Sequence, residues 1–153
     1  MNLQRRNMMR MGVTALGLMA TTALWPLRAL AAGAGLDGAF KADSVDAVFK
    51  DLGSTPTESA DIDLKTPDIA ENGAVVPVSV TSKIPNTDQI MILVEKNPNP
   101  LAASFDIAEG TEGAISTRVK IGQTCDVYAV VRADGKFYSA RRETKVTLGG
   151  CGG

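Results

Sequence analysis

Histidine is absent from this 153-residue chain, and cysteine occurs only twice, at Cys125 and Cys151. Histidine is the commonest general base and the commonest metal ligand, so neither a Cys-His nor a Ser-His catalytic pair can be built here. Two cysteines far apart in sequence, with no imidazole to join them, do not make a zinc site. Few classes of enzyme survive that subtraction, and no cofactor or metal is expected on the chain itself. Internal repeats are missing, as are low-complexity tracts other than the glycine-rich tail.

What is there begins with a leader. Arg5, Arg6 and Arg10 precede an apolar run from Met11 to Trp25, and Ala29-Leu30-Ala31 supplies a small-x-small cleavage pattern. The run falls short of the roughly twenty residues that span a bilayer. Residues 1–31 therefore read as a removable signal peptide in preference to an uncleaved anchor. The pair Arg5-Arg6 followed by Asn7-Met8-Met9-Arg10 has the look of a twin-arginine signal, a route that carries folded cargo. The leader holds four arginines and no acid, so the mature chain keeps 12 of the 16 basic groups against all 17 acids, a net charge of −5. Phosphate contacts need clustered Lys and Arg, so nucleic acid is not expected as a partner. No second apolar span follows, and the mature protein is expected to be soluble, one domain with one core.

Residues 32–42 are small and flexible in composition. A helix should start near Asp43 or Ser44 as cap, with Asp46 in its first turn. Val45, Val48, Phe49 and Leu52 make one apolar stripe, and Gly53 stands where a C-terminal cap belongs. So short a helix is stable only if the stripe docks, on this domain or on another chain. After Thr55-Pro56-Thr57 the pattern switches to period two. Ala60–Leu64 is a first strand with Ile62 and Leu64 on one face. Val76, Val78 and Val80 form a second, which Pro77 should confine to an edge or a bulge. Ile90–Val94 is apolar on both faces, hence central or partner-facing. Ala103–Ile107 and Ile115–Ile121 follow. Cys125–Ala133 and Lys136–Leu148 are joined by Asp134-Gly135, a strong two-residue hairpin signal. Its register sets Val131 opposite Tyr138, Ala129 opposite Ala140, and Tyr128 opposite Arg141. Seven strands with turn signals about every ten residues indicate an antiparallel β-sandwich. The expected organisation is an N-terminal segment with a short helix (32–57), a sandwich (58–148) and a carrier arm (149–153).

That arm is Gly149-Gly150-Cys151-Gly152-Gly153. Four glycines and a thiol have nothing to pack, so the segment should be a mobile arm. From Leu148 the thiol reaches roughly 10 Å, at about 3.3–3.6 Å per residue. Bare glycine on both sides lets it enter a narrow pocket in another protein. No base or positive cluster adjoins it in sequence, so its activation would fall to that partner. An intermolecular disulfide is the competing reading of Cys151, and composition divides the two evenly. Flanking glycines add little to a structural staple, which tips the balance slightly toward a carrier. Cys125 shares its strand face with Val127, Ala129 and Val131 and reads as a small core hydrophobe.

The stretch Val146-Thr147-Leu148-Gly149-Gly150-Cys151-Gly152-Gly153 resembles the C-terminus of the SoxY family, the sulfur carriers of bacterial thiosulfate oxidation. Val94-Glu95-Lys96-Asn97-Pro98-Asn99-Pro100-Leu101 and Ile69-Ala70-Glu71-Asn72-Gly73-Ala74-Val75-Val76-Pro77 are similar to internal stretches of the same family. The likeness runs from about Leu36 to the end, and a twin-arginine leader is typical. The resemblance implies an immunoglobulin-like sandwich, a periplasmic location, and a heterodimer with a SoxZ-like β-sandwich subunit. It also implies that Cys151 carries the pathway intermediates while the enzymes supply the chemistry. A haem protein, SoxAX, joins thiosulfate oxidatively to the thiol as a cysteine S-thiosulfonate. A manganese-dependent hydrolase, SoxB, releases sulfate, and a sulfur dehydrogenase, SoxCD, where present, oxidises the remaining sulfane sulfur. The family requires no second cysteine, so Cys125 lies outside the likeness.

Two other classes compete. Ubiquitin-like sulfur donors also end in Gly-Gly, but they need cytosolic activation that a signal peptide removes, and a sandwich suits them poorly. A structural or adhesion sandwich would use Cys151 for intermolecular linkage. Cys151→Ser should abolish a carrier and spare a thiocarboxylate donor, and deleting Gly153 should do the reverse. The two-faced strand Ile90–Val94 and the stripe Val45–Leu52 are candidate partner surfaces, each also readable as ordinary core.

Overall fold

The computed structural model describes residues 36–147. The leader 1–31 and the arm 149–153 therefore lie outside the described residues. The fold is organised about one hairpin. Strands β8 (Cys125–Ala133) and β9 (Lys136–Val146) meet at Asp134 and Gly135, with φ of 50° and 73°. Two successive left-handed residues turn the chain with the twist of its flanking strands, which is why Asp-Gly is favoured there. The register follows: Ala133 opposes Lys136, Val131 Tyr138, Ala129 Ala140 and Tyr128 Arg141.

Strand β5 (Thr87–Val94) pairs antiparallel with β8, and β6 (Leu101–Asp106) pairs with β5. On its other edge β9 takes two very short parallel strands, β1 (Thr57–Glu58) and β3 (Ile69–Ala70). A second sheet runs β2 (Ile62–Lys65), β4 (Val76–Ser82), β7 (Ala114–Val119), antiparallel throughout. Alternation drives the inner faces together. Ile62, Leu64, Val76, Val78 and Val80 from one sheet meet Ile90, Ile92, Val94, Val127, Ala129 and Val131 from the other. The architecture is the expected sandwich.

The opposite face of the larger sheet is covered by the chain's own helices, α1 (Asp37–Lys41) and α2 (Val45–Asp51). Ser44 caps α2, its hydroxyl accepting from the Ala47 N–H at 3.3 Å, and Gly53 follows with φ 79°. Val48 is fully buried against Met91, Leu93 and Val130, and Phe49 meets the Tyr128 ring edge-on at 6.4 Å. The two candidate partner surfaces thus cover one another: the helical stripe is what makes Ile90–Val94 apolar on both faces.

Three expectations change. The described residues hold nine strands rather than seven, because β1 and β3 are two residues long and carry no period. Residues 37–41 of the supposedly flexible stretch form α1, a single turn with only Ala39 buried, too short for an apolar stripe. Strand β4 is central in its sheet rather than an edge. Pro77 is tolerated because β2 first pairs with β4 at Ser79, two residues further on, so at Pro77 the strand has β7 alone as neighbour.

If α2 is held by its stripe, Val48→Ala should lower unfolding free energy by about 2 kcal/mol, read by urea denaturation. A change below about 0.5 kcal/mol would show the helix layer to be undocked.

Candidate functional site

The residues expected to do chemistry, Cys151 with Gly149, Gly150, Gly152 and Gly153, lie outside the described residues. The structure instead defines their root, the last turns of backbone before the arm. Strand β9 pairs with β8 as far as Thr144 opposite Cys125. Beyond that, donors alternate between the two sides of the strand. Lys145 N–H donates to the Asp68 carbonyl at 2.9 Å, Val146 N–H to Thr124 Oγ1 at 3.0 Å, and Thr147 N–H to the Ala70 carbonyl at 3.2 Å. The strand is held on both edges up to Thr147.

Side chains brace the same segment. Thr144 is fully buried and hydrogen-bonds Thr66 through its hydroxyl, so the strand cannot slip without leaving two buried hydroxyls unpaired. Arg142 donates to Asp68 at 2.7 Å, an exposed pair that adds little energy but lies beside β3. Gly73 crosses close to the root: Ile121 N–H donates to its carbonyl at 2.7 Å. A β-carbon on Gly73 would collide with the Ile121 carbonyl oxygen and stand 2.9 Å from Val146 Cγ1. Asn97 then fixes the neighbouring loop, donating to the Lys120 carbonyl at 2.7 Å and accepting from Gly122 N–H at 3.2 Å. The Asn97–Pro100 stretch and the Glu71–Val75 turn thereby meet at Lys120–Gly122, and it is Gly73 of that turn that lies against Val146 of β9.

Cys125 is 4% exposed, a free thiol packed among the valines of the sandwich as its strand face predicts. Burial is the largest cause raising its pKa, so at neutral pH it is protonated and a poor nucleophile. The described residues therefore offer no activated thiol. They also hold no group of three or more Cys, Asp and Glu placed to bind a metal ion, and no helix long and apolar enough to cross a membrane. The surface hollow lined by Asp46, Phe49, Lys50 and Thr55 belongs to the helix layer and shares no residue with the root. What the arrangement does is mechanical: it fixes a point four residues before Cys151. Sequence periodicity missed the β3–Gly73 part of this root, although the stretch Ile69–Pro77 already stood out by its likeness to a family.

Comparison with known proteins adds the following. The family model described as "Sulfur oxidation protein SoxY" matches residues 46–151. The sulfur carrier protein SoxY from Chlorobium limicola f thiosulfatophilum is 43% identical, with TM-score 0.60, over 67% of this chain and 94% of that one. The PmoD soluble domain of Methylocystis sp. matches at 11% identity and TM-score 0.40, over 58% of this chain and 94% of that domain. The human F-spondin reeler domain matches at 11% and 0.33, over 59% and 95% respectively. No curated protein matches the chain.

The close crossing at Gly73 makes a sharp prediction. Gly73→Ala should destabilise the sandwich by about 1–3 kcal/mol, as an overpacked site does. Amide hydrogen exchange should show lost protection at Ile121 and Thr147 before the β8–β9 hairpin. Unchanged exchange at Thr147 would mean that the turn does not brace the root.

Proposed function

This chain belongs to the SoxY family of sulfur oxidation proteins, and from that membership we propose that it carries sulfur intermediates covalently on Cys151 and presents them to partner enzymes. The observation that carries this reading is the family match itself, which extends to residue 151 and so takes in the glycine-flanked cysteine. The fixed root supports it: a strand held as far as Thr147 gives a thiol-bearing arm a defined origin.

The chemistry asks little of the chain. Thiosulfate is joined to the thiol by forming a sulfur–sulfur bond. The thiol proton leaves and two electrons pass to a SoxAX-type haem protein, giving a cysteine S-thiosulfonate. Water, activated by a SoxB-type hydrolase, then attacks the terminal sulfonate sulfur. Sulfate departs, and a persulfide remains on Cys151. Where a SoxCD-type dehydrogenase exists, it oxidises that remaining sulfur before a second hydrolysis. In this scheme the chain is a substrate carrier and not a catalyst, a mobile arm on a sandwich paired with a SoxZ-like subunit. Residues 1–31 would deliver it to the periplasm, where thiosulfate and these enzymes meet.

Intact mass spectrometry of the mature protein from thiosulfate-grown cells, before and after reduction, tests the proposal. A reducible adduct of sulfur or thiosulfonate mass should map to the peptide containing Cys151 and vanish in Cys151→Ser. Cys151 found only as free thiol or protein disulfide during active thiosulfate turnover would favour the structural-linkage reading instead.

A further inference from the structure

We propose that Asn72 is a self-modification site: the Gly73 backbone nitrogen attacks its side-chain amide, and the isoaspartate that results unfastens the brace between Gly73 and Ile121. The reaction needs no enzyme and no oxidant, and it is independent of what Cys151 carries. Four asparagines lie among the described residues, Asn72, Asn86, Asn97 and Asn99, and the chemistry separates them. Attack needs a following N–H that can give up its proton, and Pro98 and Pro100 supply none to Asn97 and Asn99. Asn86 is followed by the β-branched Thr87, and its amide nitrogen is tied to the Asp134 carboxylate at 3.2 and 3.3 Å. Asn72 is followed by glycine, which has no side chain to obstruct the approach.

The turn presents the two reacting atoms to each other. Asn72 is exposed, and its Oδ1 accepts from the Ala74 N–H at 3.0 Å. The ring closed by that hydrogen bond contains both Asn72 Cγ and the Gly73 nitrogen, so the side chain is already folded back along the peptide that attacks it. The same bond draws electron density from Cγ. The N–H groups of Ala74 and Val75 are both taken by Asn72, whereas that of Gly73 has no hydrogen-bond partner among the described residues and is free to lose its proton. The Gly73 nitrogen bonds to Cγ, ammonia departs with that proton, and a succinimide remains. Water then opens the ring. Cleavage on the Cγ side gives aspartate; cleavage at the Asn72 α-carbonyl leaves the chain running through Cγ, one carbon longer. Gly73 has no slack for that carbon. Its carbonyl accepts from Ile121 N–H at 2.7 Å, and even a β-carbon there would collide with the Ile121 carbonyl oxygen and stand 2.9 Å from Val146 Cγ1.

Peptide mass mapping of the mature protein, incubated at neutral and at mildly alkaline pH, tests this. Conversion at Asn72 should run about tenfold or more faster than at Asn86, with Asn97 and Asn99 unchanged, and should quicken at the higher pH. Labelling by an isoaspartyl methyltransferase should identify isoaspartate as the main product. In the converted protein, the Ile121 amide should exchange about tenfold or more faster with solvent hydrogen. Freshly prepared Asn72→Asp, which adds the charge without the extra backbone carbon, should keep its protection at Ile121. So should Asn72→Gln after the same incubation. Conversion at Asn72 no faster than at Asn86 overturns the proposal, as does a converted protein whose Ile121 amide stays protected. Protection already lost in fresh Asn72→Asp would assign the effect to charge and would equally overturn it.

Discussion

The structure depends on how β9 is held. That strand pairs with β8 along most of its length and with β1 and β3 on its outer edge, and Thr66 grips it through the buried hydroxyl of Thr144. A terminal strand with one neighbour frays, because its last amides have only water to bond. Here the amides of Lys145, Val146 and Thr147 are each satisfied by protein. The short strands β1 and β3 supply that second edge, while β2 between them joins the other sheet. The β2–β4–β7 sheet then closes over the inner face, and the helices over the outer one.

Such an arrangement separates scaffold from chemistry. Nothing described in the sandwich is poised to react: the chain has no histidine, and its buried thiol is kept protonated. Cys125 behaves as a core hydrophobe because its strand alternation turns it toward Val127 and Val131 rather than outward. A carrier benefits from this inertness, since a second reactive thiol within reach of a loaded cysteine would accept its sulfur by exchange.

Much of this was legible in the amino-acid order, where local chemistry decides. Asp134-Gly135 dictates a turn and therefore a register, and Ser44 with the stripe Val45–Leu52 dictates a capped helix. The unreadable parts are those whose cause is distant. Strands β1 and β3 are two residues long, so no alternation marks them; they exist because β9 offers a free edge. Pro77 argues locally for an edge strand, and only the late start of β2 reconciles it with a central place. Ile90–Val94 left open whether its outer face meets a partner, because covering by α2 is a tertiary fact. At the site, the glycine-flanked cysteine stands out in sequence, whereas the brace at Gly73 shows only once Ile121 and Val146 are seen against it.

The proposed carrier role requires a boundary at Thr147: a strand held by hydrogen bonds up to that residue, and beyond it an arm that moves with its cargo. Backbone ¹⁵N relaxation on the mature protein measures that boundary residue by residue. The account predicts order parameters near 0.85 through Val146, falling below about 0.6 by Gly150 and staying low at Cys151. Rigid values persisting through Cys151 would mean that the cysteine is packed rather than presented, and would contradict the account.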